Sequence, residues 1–291
     1  MDHFIALLFS GVSLGATTAL VALGFLLLYR ASGVINFAHG DLMTLGTYLA
    51  FALATSARLP VLLAYLVALG LMFVAGVGLE RVAHAPLRNR PEIVVGIATL
   101  GVGIVIRSLL SLWHGSDPKS LPSPVGDRVV RFGDVAIAYQ RLLIVVVVTL
   151  VLVGLYVLLR RTSFGRQVRA MAADPVAAQL QGVRTRRMAM VSFGLSSAMA
   201  GLAGILIAPT MSFDLNYGFA VMMLAFAAAI LGGFGSLPGV VVAALLLSVG
   251  QQLVGGYLIP NYNSALPFVL LIIGIALRPH GLFTGLSRSR L

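Results

Sequence analysis

Apolar residues occur along the chain in segments of about twenty, a length that lets a helix cross the hydrocarbon core of a bilayer. Several segments, such as Leu142 to Leu159, are apolar on every face, whereas the strands of a membrane barrel alternate over about ten residues. The pattern therefore predicts an all-α, polytopic membrane helical bundle that forms one domain over residues 1–291. We expect spans at residues 4–29, 34–55, 60–80, 93–113, 141–159, 188–209, 219–231, 239–258 and 264–277.

The seventh and ninth predicted spans are short, so the pattern fits eight crossings as well as nine. One of them is then a half-helix or a re-entrant segment. The first span follows Met-Asp-His, which lacks the cationic start of a signal peptide. We therefore expect this span to be retained as a membrane helix.

Composition agrees with a membrane protein, since 59% of the residues are hydrophobic and 10% are charged. Nineteen of the twenty cationic residues are arginine, and the single lysine, Lys119, does not lie in a phosphate-binding loop motif. The chain is therefore not expected to hydrolyse ATP by that route. The arginines lie between apolar spans rather than on a basic domain, which argues against nucleic-acid binding. We therefore expect the chain to be surrounded by membrane lipid.

The sequence contains no obvious catalytic or metal-binding arrangement. It has no cysteine, which excludes disulfides and thiolate ligands. Neither paired carboxylates nor a His-x-x-x-His pattern recurs at helical spacing within the spans. We therefore predict no enzymatic activity, no catalytic residue and no metal site.

The distribution of arginine predicts which connections are cytoplasmic, because cations collect on that side of the membrane. The connection at 160–187 contains seven arginines and one acid. Placing it inside gives fourteen cationic residues on the cytoplasmic side and five outside, with Arg107 inside a span. Nine spans then put the C-terminus in the cytoplasm. The other long connection, at 114–140, is predicted to be external and to contain a small hairpin at Val129 to Ala138.

The cytoplasmic connection is predicted to contain a short surface helix. Asp174 suits the N-cap of a helix, Pro175 suits its first position and Gly182 suits its end. Charge alone is compatible with an ordinary positive-inside loop. The segment Val176 to Gly182 also fits a pattern found in ATP-driven importers, E-A-A-x-x-x-G, with valine at the position of the glutamate.

Polar residues near the second span are candidates for a solute path. Asn36, His39 and Asp41 are expected to face protein or water, because an unpaired polar group in hydrocarbon costs several kcal/mol. A structural role is the alternative, in which Asn36 and Asp41 hold a broken helix near the cytoplasmic interface. On this topology Asp41 lies toward the cytoplasm and Arg107 toward the outside, so an Asp41–Arg107 ion pair is the less favoured arrangement.

The glycine-rich segment from Gly232 to Gly239 allows two interpretations. It is either a helix break at the midplane, with Gly232, Gly233 and Gly235 on the solute path, or a tight turn at the cytoplasmic face. Its position relative to Gly33–Gly46 also suggests an inverted repeat with broken helices.

Three groups of residues, in order and at this spacing, resemble the branched-chain amino acid ABC transporter permeases, specifically the shorter of their two permease subunits. The resemblance extends over nearly the whole chain. The groups are Gly33 to Asp41, Thr162 to Arg166 with Ala172 to Pro175 and Ala177-Ala178, and Leu231 to Gly239.

The resemblance implies an importer in a bacterial inner membrane with a second homologous permease, two cytoplasmic ATP-binding subunits and a periplasmic substrate-binding protein. ATP is then used by the partners, and this chain binds no cofactor. The loss of glutamate at Val176 puts the detail of the ATPase contact in doubt. The resemblance implies ATPase coupling for Arg166, Arg169, Asp174, Pro175, Ala177, Ala178 and Gly182.

The scarcity of charge within the spans suits a small, neutral cargo. It does not distinguish branched-chain amino acids from amides or urea. Two other functions remain open at this point, namely an ion-coupled secondary transporter that uses His39, Asp41 and Arg107, and a channel for a small polar solute.

Overall fold

The protein is described here by a computed structural model. It describes residues 2–257 except 89, 127, 133 and 134, together with the single positions 266, 268, 269 and 272. In this part of the chain the α-helices are α1 (Asp2–Ser32), α2 (His39–Thr55), α3 (Val61–Leu79), α4 (Glu92–His114), α5 (Tyr139–Arg161), α6 (Ser163–Ala173), α7 (Pro175–Leu180), α8 (Thr185–Ile207), α9 (Tyr217–Gly232) and α10 (Leu237–Tyr257).

Six helical segments in the described residues are long and apolar enough to span a bilayer: those that contain α1, α3, α4, α5, α8 and α10. The predicted all-α membrane bundle is thus confirmed, but eight to nine spans exceed these six. The second and seventh predicted spans form α2 and α9, which have only 17 and 16 residues. The ninth predicted span, 264–277, lies outside the described residues apart from four isolated positions.

Helix α1 is the centre of the bundle and packs against α5, α8, α9 and α10. It is apolar on all sides, and a helix of that kind is stable only when it is surrounded by other apolar groups. Leu20, Leu26 and Leu27 are fully buried. By contrast, α3, α4 and α5 expose large apolar side chains such as Leu62, Ile104 and Leu150, as expected for helices that face lipid.

The two ends of the bundle differ in composition. Arg30, at the end of α1, donates hydrogen bonds to the carbonyls of Phe234 and Gly235, just before α10. Helices α6 and α7 lie at this same end, which we call the arginine end. At the other end, the hairpin end, His3 packs on Tyr257 with 5.3 Å between ring centroids. The connections 114–140 and 160–187 therefore lie at opposite ends.

The predicted hairpin is present at the hairpin end. Strand β1 (Val129–Phe132) pairs antiparallel with β2 (Val135–Ala138), and Val129 lies opposite Ala138. The chain before it forms a bridge to the segment between α8 and α9, through Lys119 and Phe213. These connections form a cover over one end of the helices.

Helix α2 begins inside the bundle rather than at its surface. His39, its first residue, has its ring Nε2 3.1 Å from the Val21 carbonyl oxygen, and Val21 lies about three turns before the end of α1. The intervening chain turns at Gly33, whose φ of +74° favours glycine, and runs back beside α1 without helical structure. The prediction of a continuous span over 34–55 is therefore wrong at its beginning.

Small residues bring the inner helices close together. A Cβ atom added to Gly46 of α2 would lie 2.5 Å from the Cα atom of Gly201 in α8. One added to Gly40 would lie 2.8 Å from the carbonyl oxygen of Gly218, at the start of α9. Such spacings let helix backbones meet, which is how membrane helices gain packing energy.

Candidate functional site

The arginine end carries a continuous surface element formed by α6 and α7. Thr162 precedes α6, and its hydroxyl accepts a hydrogen bond from the Gly165 amide at 3.4 Å. Asp174 joins α6 to α7 and accepts bonds from the amides of Val176 and Ala177 at 2.8 and 3.0 Å. The predicted cap at Asp174, with Pro175 at the first helical position, is thus confirmed.

The end of α7 also matches the prediction. Gly182 has a φ of +84°, and its amide donates to the Gln179 carbonyl at 2.9 Å. Gln179 in turn donates from its side chain to the hydroxyl of Thr185, the first residue of α8, at 2.8 Å. These bonds hold the short helix against the base of the bundle.

One face of α7 contacts the bundle and the other is exposed. Ala178 is buried, whereas the side chains of Val176 and Leu180 are 66% and 86% exposed. Such apolar exposure at the end of a membrane protein, beside seven arginines, is typical of a surface that contacts another protein. Of the residues predicted for coupling, Arg166, Asp174 and Pro175 are exposed and Ala177 is half-buried.

Arg169 links this element to the membrane helices. Its guanidinium donates a hydrogen bond to the Leu159 carbonyl near the end of α5. This contact joins α6 to the end of α5.

The predicted path residues Asn36 and His39 are buried at the break before α2. The Asn36 side chain accepts a hydrogen bond from the Ala38 amide at 3.0 Å. The His39 ring lies between the Val21 carbonyl and the Ser196 hydroxyl, at 3.1 and 3.5 Å. These contacts support the structural alternative, in which polar groups hold the broken helix. Their place on a solute path stays a prediction.

Asp41 and Arg107 form an ion pair, contrary to the expectation that they lie at different depths. Nε and Nη2 of Arg107 donate to Oδ1 of Asp41 at 3.0 and 2.8 Å. The expectation failed because it started α2 at the interface, whereas the non-helical segment 33–38 carries the chain inward first. Helices α2 and α4 run in the same direction, since Phe37 bonds to Thr99 and Asp41 to Arg107.

The glycine-rich segment forms a tight turn at the arginine end. Gly232 ends α9, Gly233 has a φ of +80° and α10 begins at Leu237. The carbonyls of Phe234 and Gly235 accept bonds from Arg30 at 3.1 and 2.9 Å. Of the two interpretations left open by the sequence, the turn at the end of the bundle describes the structure.

The sequence analysis missed several polar contacts. Glu80 is fully buried and accepts a bond from Arg88 at 2.6 Å. The two are eight positions apart, more than the three or four that place side chains together on an α-helix, and a π-helical turn at Glu80–His84 followed by a 3-10 turn at Ala85–Leu87 connects them. The pattern of apolar residues did not indicate these irregular helical turns.

A cavity at the hairpin end was also missed. It has a volume of about 300 Å³ and lies between α1, α5, α9 and α10. Its lining combines polar residues, including Ser13, Arg141 and Thr210, with the apolar Leu14 and Val221. These polar residues come from α1, from the first turn of α5 and from the 3-10 turn at Ala208–Thr210, so only the packing of the helices brings them together.

Comparison with known proteins decides the family. Residues 7–275 match the family model described as the permease component of the branched-chain amino acid transport system. The chain belongs to this permease family. It is 33% identical over 293 residues to the high-affinity branched-chain amino acid transport system permease protein LivH of Escherichia coli K12, covering 96% of this chain and 95% of that protein.

The chain is also similar to two further permeases. The permease protein BraD of Pseudomonas aeruginosa is 32% identical over 294 residues, with 96% and 95% of the two chains covered. The permease protein LivM of Escherichia coli K12 is 33% identical over 144 residues, which is 48% of this chain and 33% of LivM. The same bacterium thus has two different permeases that are similar to this chain.

A solved structure shows a related fold. The structure described as PsaBC from Streptococcus pneumoniae in complex with Fab has a TM-score of 0.50 and 14% identity to this chain. The match covers 99% of this chain and 96% of the other. Family membership establishes the chain as an ABC transporter permease, a subunit of a larger transport complex, and the solved structure shows the related fold alone.

Proposed function

We propose that this permease carries branched-chain amino acids into the cytoplasm and that partner subunits supply the energy by hydrolysing ATP. The observation that carries the proposal is the capped helix α7, which is bonded to α8 on one side and exposes Val176 and Leu180 on the other. A rigid helix with an exposed apolar face suits contact with a motor protein. Membership of this permease family supports an ATP-binding subunit as that motor.

The arrangement of charges supports one orientation in the membrane. Arginines are concentrated at the end that contains α6, α7 and the turn before α10, and cytoplasmic loops attract cations. We therefore assign the arginine end to the cytoplasm and the hairpin end to the outside. A substrate-binding protein would then approach the hairpin, and two ATP-binding subunits would approach α7.

A second, homologous permease completes the proposed complex. The similarity to both LivH and LivM of one bacterium supports a pair of unlike permeases. This chain binds no cofactor of its own in this arrangement, since ATP is used by the partners.

The cavity at the hairpin end supports the cargo class. Its polar groups suit the charged ends of a zwitterion, and Leu14 and Val221 suit an apolar side chain. Asn36, His39 and Asp41 lie deeper, and we propose that they hold the break of α2 beside the route. Gly232, Gly233 and Gly235 are proposed to form its cytoplasmic edge.

The proposal is tested by reconstituting the chain with and without its ATP-binding partners. We expect uptake of labelled leucine by proteoliposomes only when those partners and ATP are present. Leu180→Glu should abolish uptake and co-purification, because it puts a charge on the apolar face of α7. Leu180→Met is the matched control, since it keeps an apolar side chain of similar size on that face.

Two results would overturn the proposal. One is leucine uptake by the chain alone, driven by an ion gradient or by diffusion, which would establish a secondary transporter or a channel. The other is full uptake by Leu180→Glu, which would exclude α7 as the contact.

A further inference from the structure

A cleft of about 550 Å³ opens at the arginine end between α1, α5, α6 and the turn before α10. We call it the arginine cleft. Its lining includes Arg30, Tyr156, Arg160, Arg169, Ser236 and Pro238. The coupling helix α7 does not line it, so the motor contact proposed above does not account for it.

The lining of the arginine cleft has three positive charges and no carboxylate. Arg30 and Arg169 are close enough to interact electrostatically, and like charges this close are unfavourable without a counter-ion. Among the described residues the ion pairs are Arg88–Glu80 and Arg107–Asp41, neither of which is in the cleft. The cleft is therefore an electropositive site whose chemistry suits an anion.

The arginines are held in place by the protein. Arg30 donates to the carbonyls of Phe234 and Gly235, and Arg169 to that of Leu159. Arg160 lies over the ring of Tyr156, with its Cζ atom 5.3 Å from the centroid. Since a guanidinium has five N–H donors, each arginine retains donors for an oxyanion after these contacts.

An apolar groove continues from the arginine cleft along the side of the bundle. Tyr156, Leu237 and Pro238 line both cavities. The groove adds Leu152, Leu155 and Val241 and has almost no polar surface. On α5 the neighbouring Val153 and Val157 are exposed, so the groove lies beside the face of α5 that meets lipid.

We propose that the arginine cleft binds the phosphate of an anionic phospholipid from the adjoining leaflet, with the first methylene groups of an acyl chain in the groove of Leu152, Leu155 and Val241, which has a volume of about 90 Å³. The change from cationic to apolar lining matches an amphiphile, and free phosphate would leave the groove unused. Basic pockets between membrane helices at the cytoplasmic interface recognise such headgroups.

The bound lipid would connect elements that are distant in sequence. Its phosphate would contact arginines from α1, α5 and α6, next to the turn before α10. It would therefore fix the position of α6, which leads directly into α7. Binding itself does not depend on the transported cargo or on ATP.

The binding is measured on the full chain, purified in detergent and freed of native lipid. Phosphatidylglycerol and phosphatidylcholine with the same acyl chains are added in turn, and bound lipid is counted by native mass spectrometry. We expect phosphatidylglycerol to be retained and to raise the thermal unfolding temperature. Phosphatidylcholine should do neither.

Two pairs of variants separate the headgroup site from the groove. Arg160→Gln should weaken phosphatidylglycerol binding by about fivefold, the effect of about 1 kcal/mol per arginine. Arg161→Gln, the adjacent residue outside the cleft, should leave binding unchanged. Val241→Trp should block the groove and reduce retention, whereas Leu150→Trp on the exposed face of α5 should not.

Several results would overturn the proposal. They are equal binding of the two lipids, an equal loss in Arg160→Gln and Arg161→Gln, and displacement of phosphatidylglycerol by millimolar inorganic phosphate that gives the same stabilisation. Loss of the ATP-binding partners in Arg160→Gln with phosphatidylglycerol binding intact would assign the cleft to a protein partner instead. Because lipid binding is measured without transport, its failure leaves the proposed function untouched.

Discussion

Arg107 donates two hydrogen bonds to one oxygen of Asp41, at 3.0 and 2.8 Å, and so joins the second half of α4 to the first turn of α2. Gly103 of α4 leaves the space that the Asp41 carboxylate occupies. Arg107 also donates to the side chain of Asn216, which precedes α9, at 3.3 Å. One arginine therefore connects three helices at the depth where α2 begins.

Breaking this ion pair should destabilise the fold. Arg107→Met leaves Asp41, whose side chain is 6% exposed, without its partner. We expect a loss of about 3 kcal/mol in the free energy of unfolding, the lower end of the range for buried pairs, because Arg107 is itself one-third exposed. Denaturant unfolding in detergent measures the change.

A double-mutant cycle tests whether the effect comes from the pair. Asp41→Asn combined with Arg107→Met should lose less stability than the sum of the single changes, since no unpaired carboxylate remains. Arg161→Met, at an exposed arginine, is the control and should have little effect. Additive losses would show that the two side chains act independently.

The contact between Gly46 and Gly201 predicts that position 46 of α2 does not accept a large side chain. Gly46→Val would place side-chain atoms against the backbone of α8, and we expect a cost of at least about 2 kcal/mol from overpacking. Gly70→Val is the matched control, because Gly70 lies in α3 with no atom near a Cβ. Thermal unfolding of the two variants should differ clearly, and similar curves would contradict the close approach.

The cap at Asp174 should control the order of α7. Asp174→Ala removes the acceptor of the Val176 and Ala177 amides, at a cost of about 1 kcal/mol. Hydrogen exchange at those amides should then be about fivefold faster, because the helix opens more often. Asp174→Asn retains an acceptor and should exchange at nearly the wild-type rate. Unchanged exchange in the alanine variant would mean that α7 is held by its other contacts.

The left-handed backbone at Gly182 determines which substitutions are tolerated at this position. A Cβ at this position meets nothing within 4 Å, so only the φ of +84° opposes a larger residue. Gly182→Asn should be tolerated and Gly182→Val should lower uptake, since asparagine adopts this conformation far more readily than a β-branched residue. Equal uptake by both variants would show that α7 needs no fixed end for coupling.

Local features of the chain could be predicted from the sequence because they depend on neighbouring residues. Apolar segments of about twenty residues identified the long helices, and Asp174-Pro175 and Gly182 identified both ends of α7. The alternating residues between Val129 and Ala138 identified the hairpin. In each case the physical cause, whether burial in hydrocarbon, a cap or a turn, acts within a few residues.

Contacts between distant segments depended on the tertiary structure. The polar residues Asn36 and Asp41 allowed a broken helix as one interpretation, but the sequence did not show that residues 33–38 carry the chain into the bundle. Because residues 33–38 carry the chain inward, Asp41 lies at the depth of Arg107 and pairs with it. In the same way the arginines at positions 30, 160 and 169 are separate residues at span ends in the sequence, and only the packing of α1, α5 and α6 places them around one cleft.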